Sequence, residues 1–207
     1  DQIVEAILRA KITLEVDKLD FYLLQSFLDF RTKNVNIDSF KSLKIWKTTN
    51  NSFGAIEDIY LPGNFEDPLG NDLIIDMRYL SQDMLRILNE FLYPKKLTLG
   101  IYVDEVLTGN TFDSQKLLEN NKYLELIKVL ASQQDSLTES NYAKLKEFSF
   151  IKVSSGSLVK PHMAILQRDE NLSTVSVEKI NYVASDIWTL SKDVRKFLTK
   201  LGCKSNI

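Results

Sequence analysis

The feature that most constrains this 207-residue chain is a strand–turn–strand stretch that occurs twice. Leu145-Lys-Glu-Phe-Ser-Phe-Ile-Lys-Val-Ser-Ser-Gly-Ser-Leu-Val-Lys-Pro161 reads as an apolar strand, a Ser/Gly turn and a second strand. Phe40-Lys-Ser-Leu-Lys-Ile-Trp-Lys-Thr-Thr-Asn-Asn-Ser-Phe53 aligns with it without a gap. Apolar residues coincide at Phe40/Leu145, Leu43/Phe148, Ile45/Phe150, Trp46/Ile151 and Phe53/Leu158, and lysines at Lys41/Lys146 and Lys47/Lys152. A second coincidence places Leu201-Gly202 on Leu99-Gly100, each read as the end of a helix. The pattern predicts an α+β protein of two similar helix-plus-β-hairpin units in tandem, residues 1–101 and 102–207; two unrelated hairpins are the alternative.

Periodicity supplies the helices. Ile3, Ala6, Ile7, Ala10 and Leu14 recur at helical intervals, and a second apolar helix is predicted over residues 17–30 behind Asp17. Leu73-Ile-Ile-Asp-Met77 is a short strand, and Leu80, Met84, Leu88, Phe91 and Leu92 form a helix face that Pro94 ends. In the second half, Asp113 or Ser114 caps a helix bearing Leu117 and Leu118, a pattern that Tyr123, Leu124, Ile127 and Leu130 continue. Ser136-Leu-Thr-Glu139 has capping-box spacing. Val194, Phe197, Leu198 and Leu201 face one side of a last helix, stopped by Gly202. Pro62-Gly-Asn-Phe-Glu-Asp-Pro-Leu-Gly70 is the most loop-like segment.

Charge bears on the partner. Residues 1–101 carry 12 Lys/Arg against 15 Asp/Glu, and residues 102–207 carry 14 against 13. Neither half has the basic excess that phosphate neutralisation calls for. The most basic stretch lies on the second hairpin, where Lys144, Lys146, Lys152, Lys160 and Arg168 face one acid, Glu147. A strand face exposed to solvent carries lysine against edge pairing; as the wing of a winged helix the same residues would meet phosphates. The single cysteine, Cys203, rules out an internal disulfide and fits a reducing compartment. No apolar run reaches a membrane span, and the first residues do not read as a signal peptide. The start at Asp1 suggests a fragment of a longer chain or a processed product.

Chemistry-bearing constellations are sparse. His162 is the single histidine and is read as a surface or turn residue, although a triad with distant partners is open to it. Cys203 follows a helix C-terminus, where the dipole opposes a thiolate. Glu66-Asp-Pro-Leu-Gly-Asn-Asp72 lacks the alternation of a calcium loop, and the common nucleotide-binding glycine motifs are missing. No catalytic residue, cofactor or metal site is therefore expected.

The motifs Leu145 to Phe150, Ser154 to Pro161 and Phe197 to Gly202 resemble the repeat regions of sacsin-type proteins, the Hsp90-related giant chaperone family. The first half departs from the pattern, with Asn51 at the glycine position and Ile56 at the proline. The resemblance implies a non-catalytic scaffold segment that follows an ATP-binding module and engages other proteins. No ATP site is implied for this chain, because Asp67-Pro-Leu-Gly-Asn71 does not match that family's Asp-x-Gly-x-Gly element.

The reading is a protein-interaction or scaffold segment of a larger intracellular protein, cytoplasmic or nuclear. Its partners are other proteins or domains of the parent chain, met through Trp46, Phe53, Lys152, Lys160 and His162 on the hairpins and through the Pro62–Gly70 loop. The alternatives are a tandem winged-helix module in a DNA-binding, replication or transcription complex, and an enzyme with an unfamiliar site around His162.

Overall fold

A computed structural model describes residues 41, 44, 46–70, 73–80, 82–109, 117–118, 122–166 and 180–205. The two helices expected over residues 2–30 lie outside the described residues, as do Phe40, Leu43, Ile45 and the Asp113/Ser114 cap. The architecture is α+β, with helices and two antiparallel two-stranded sheets. Two compact units divide the chain: Asp1–Asn64 with Asn71–Leu97, and Phe65–Gly70 with Thr98–Ile207.

In the first unit, β1 (Trp46–Lys47) pairs with β2 (Phe53–Gly54), Trp46 opposite Gly54 and Lys47 opposite Phe53. The turn closes because the Thr48 N–H donates to the Ser52 carbonyl at 2.9 Å and the Asn51 N–H to the Thr48 carbonyl at 3.0 Å. Asn51 sits at φ 63°, a left-handed conformation that asparagine tolerates better than most residues. Single bridges then extend the pairing: Thr48 to Ile75 antiparallel, Tyr60 to Ile74 parallel and Leu61 to Lys96 parallel. The helix Gln82–Ile87 runs on as a π-helix through Leu92, where Leu88 and Leu92 are buried.

In the second unit, β3 (Ile151–Lys152) pairs with β4 (Leu158–Val159), Ile151 opposite Val159 and Lys152 opposite Leu158. Val153 N–H donates to the Ser157 carbonyl at 3.0 Å and Gly156 N–H to the Val153 carbonyl at 2.8 Å, with Gly156 at φ 87°. These are the bonds of the first hairpin moved by 105 positions. Val153 bridges Val183 antiparallel, and Ile165 bridges Tyr182 and Lys204 in parallel. The helices Tyr123–Ser132, Glu139–Glu147 and Lys192–Leu201 bury Leu126, Ile127, Leu130, Tyr142, Leu145 and the expected Val194, Phe197, Leu198 and Leu201.

Three expectations are corrected. Leu145 belongs to the helix Glu139–Glu147, so the strand begins only at Ile151; Lys144 and Lys146 in the last turn suit the helix's negative end. The cap of that helix is Thr138, not Ser136: its hydroxyl accepts from the Asn141 N–H at 3.2 Å, and its own N–H donates to Asn141 Oδ1 at 2.8 Å. Leu99-Gly100 opens a helix behind the capping hydroxyl of Thr98 and so does not match Leu201-Gly202. What matches is Tyr93, at φ 48° after Leu92, with Gly202, at φ 99° after Leu201.

That last pair is testable. Tyr93 is 70% exposed, so its side chain contributes little packing, while its positive φ costs about 1 kcal/mol for a residue with a Cβ. Tyr93→Gly is expected to raise the urea midpoint, and Gly202→Ala to lower stability by about 1 kcal/mol.

Candidate functional site

The hairpins hold the residues that the sequence nominates, and the structure separates them by environment. Trp46 is 2% exposed, a core residue of the first unit, with its indole Nε1–H unpaired among the described residues. Phe53 is half-buried on β2. Lys152, Lys160 and His162 lie together on the second hairpin and the Pro161–Met163 turn that follows it, where His162 is exposed.

Two hairpin lysines, and Lys144 on the preceding helix, are paired. Lys152 Nζ donates to Asp186 Oδ2 at 3.0 Å, Lys160 Nζ to Glu147 Oε2 at 2.7 Å, and Lys144 meets Asp104 at 3.1 Å. The Lys160 bond holds the Glu147 carboxyl below its ordinary range. Each pair joins residues 13 to 40 positions apart, so no local spacing announced them. In the first unit Lys47 of β1 stands 3.9 Å over the Tyr79 ring.

Asp76, a 3% exposed carboxylate, organises that turn. It caps the Arg78 N–H at 3.1 Å and takes the Arg78 guanidinium through Nε at 2.9 Å and Nη2 at 2.6 Å. The Arg78 side-chain bond, against the opposing cost of burial, holds the Asp76 carboxyl below its ordinary range of about 4. A depressed folded-state pKa stabilises the protein above the unfolded-state value and loses that contribution as pH falls through the folded one. Urea midpoints are thus expected to fall below pH of about 4, and less steeply in Asp76→Asn.

Tyr123 fastens the second hairpin to the Tyr123–Ser132 helix. Its hydroxyl donates to the Phe150 carbonyl at 2.8 Å and accepts the Lys152 N–H at 3.1 Å, and burial raises the phenol well above its ordinary pKa. Tyr123→Phe keeps the ring and strands both backbone groups, so a loss of about 1–3 kcal/mol is expected in equilibrium unfolding. Cys203 is 4% exposed, and burial pushes its thiol up to about 12, which suits a structural residue and not a nucleophile.

A further surface lies within the first unit. Leu61, Pro62, Met77, Gln82, Leu85, Arg86, Asn89 and Lys96 line a groove of about 600 Å³. Gln82, Leu85, Arg86 and Asn89 fall at helical intervals on one helix, a visible signal; Leu61, Pro62 and Lys96 come from segments joined by the Leu61–Lys96 bridge, which is not. Gly63 shapes the adjoining backbone, since a Cβ there would run into the Leu97 carbonyl oxygen. Among the described residues no cluster of three metal-ligating side chains occurs, and no helix is long and apolar enough to cross a membrane. No family model, curated protein or solved structure matches the chain.

Proposed function

We propose that this chain is a non-catalytic scaffold and protein-interaction segment of a larger intracellular, chaperone-related protein, built from two copies of one helix-and-hairpin unit. The observation that carries the reading is the shared backbone scheme. Thr49 N–H to the Ile74 carbonyl and Asp76 N–H to the Lys47 carbonyl return as Ser154 to Tyr182 and Ala184 to Lys152. Tyr60 to Leu73 and Leu61 to Lys95 return as Ile165 to Asn181 and Leu166 to Lys204. Apart from insertions of a few residues between segments, donors and acceptors keep their order, a coincidence that two unrelated hairpins do not require. Repeated units that pack on neighbours and present surfaces to partners are the physical logic of scaffold arrays.

The paired lysines support protein partners over nucleic acid, because a phosphate would have to displace a carboxylate already in place. In binding assays against domains of the parent protein, Phe53→Ala combined with Lys160→Glu is expected to abolish capture with the fold intact by circular dichroism. Undiminished capture by that folded variant removes the hairpin surface from the reading.

One observation favours nucleic acid as a second reading. The Lys192–Leu201 helix exposes Lys192, Arg195, Lys196 and Lys200 against Asp193, and Lys192 and Lys196 have no carboxylate partner among the described residues. A salt-sensitive shift of duplex DNA that vanishes with Lys192→Glu and Lys196→Glu would favour it over the scaffold; no shift is the expected result.

A further inference from the structure

The groove of the first unit has a composition that the hairpins lack. Apolar Leu61, Met77 and Leu85 stand beside Asn89, Arg86 and Lys96, and none of the described lining residues is acidic, in a chain where 28 acids outnumber 26 bases. Lys96 is exposed and makes no ion pair among the described residues. Its main chain matters as well. The parallel bridge uses the Lys95 carbonyl and the Leu97 N–H toward Leu61, at 2.8 and 2.9 Å, so the Lys96 N–H and carbonyl point the other way. Neither has a partner among the described residues. The groove is thus flanked by a short open sheet edge and a cation.

We propose that this groove docks an extended acidic segment of a partner protein, which adds to the edge at Lys96, sets a carboxylate against the Lys96 ammonium and buries an apolar side chain on Leu61 and Leu85. The proposal rests on the protein-interaction reading and names the chemistry of one partner. An extended peptide satisfies the open edge through its own backbone, takes specificity from alternate side chains, and fits a volume of about 600 Å³. Charge complementarity selects the acid: a basic segment would set its own cation against the Lys96 ammonium, which has no carboxylate partner among the described residues. The second unit does not repeat the site, since the residues in register with Asn89 and Lys96 there are Leu198 and Ser205.

The test uses the full chain and short labelled peptides of alternating leucine and glutamate, with glutamine and lysine counterparts, followed by fluorescence anisotropy. The glutamate peptide is expected to bind and the other two not. Lys96→Glu and Asn89→Glu change exposed residues, so circular dichroism should be unaltered; each should weaken the glutamate peptide by about tenfold, and Lys96→Glu should gain affinity for the lysine peptide. Equal binding of the glutamate and glutamine peptides, or unchanged affinity in folded Lys96→Glu, overturns the proposal. So does duplex DNA or an anionic phosphatidylserine vesicle that binds more tightly than the peptide and is lost in the same variants. A silent groove with capture still abolished by the hairpin variant Phe53→Ala/Lys160→Glu sinks the groove alone; a working groove with unaffected capture sinks the hairpin surface alone.

Discussion

Trp46→Ala is expected to destabilise the first unit by about 3–5 kcal/mol, the range for removing a large aromatic side chain from a packed core. The expectation rests on 2% exposure at the one tryptophan of β1, in a unit whose Ile75 and Leu97 are fully buried as well. The indole Nε1–H is unpaired among the described residues, so Trp46→Phe gives up volume but also removes an unsatisfied buried donor. It should therefore cost much less than alanine. Urea unfolding checks both, and Trp46→Ala has a convenient property: Trp188 is then the only tryptophan left and reports the second unit by fluorescence. Partner capture separates core from surface, since a Trp46→Phe protein that folds and binds normally assigns Trp46 to packing.

Trp46 shows where the sequence could be read and where it could not. Its alignment with Ile151 rests on an offset of 105 that the hydrogen bonds of both hairpins follow, because the polar turn between the strands fixes the register. Which face of a two-residue strand is buried has no period to reveal it, so the sequence does not distinguish a buried Trp46 from an exposed one. The last helix was fully legible: Val194, Phe197, Leu198 and Leu201 lie on one stripe, and Gly202 supplies the left-handed stop that glycine signals. In the first unit tyrosine occupies the left-handed position after Leu92, a residue type that gives no stop signal, and the Leu-Gly pair at Leu99-Gly100 opens the next helix. The bridges at Ile75 and Val183 were harder still, since each is one or two residues long and pairs across an intervening segment.

The electrostatics follow the same division. Five cations on one hairpin counted as a basic patch in the sequence, yet Lys152 and Lys160 each end on a carboxylate contributed by another element. Exposed pairs of this kind add little to stability, about 0–1 kcal/mol apiece. Their consequence is for recognition: a charge that is already matched presents a weaker field to a ligand than an unmatched one. Among the described residues, Lys96 in the groove and Lys192 and Lys196 on the outer face of the Lys192–Leu201 helix carry their charge without such pairing, so their fields are open to a ligand.

Phe197→Ala is expected to cost about 3–5 kcal/mol in the second unit. Phe197 is fully buried, its ring 6.4 Å from that of Tyr142, and it lies at the centre of the stripe by which the last helix packs on the Tyr123–Ser132 and Glu139–Glu147 helices. Leu88, also fully buried, stands 109 positions earlier, the same interval that separates Tyr93 from Gly202. If the two units are copies, Leu88→Ala should lower the stability of the first unit by about 2–5 kcal/mol, as a buried leucine on the equivalent stripe requires. Intact-protein hydrogen exchange can follow the two separately, with the Thr48 and Ile75 amides reporting one unit and the Val153 and Val183 amides the other. The informative result is the pattern: each substitution should weaken protection at the same relative positions, hairpin and bridge alike. Loss confined to the helix in one unit but spread through the hairpin in the other would mean that like sequences hold unlike cores, and the copy relationship would fail even with the backbone scheme intact.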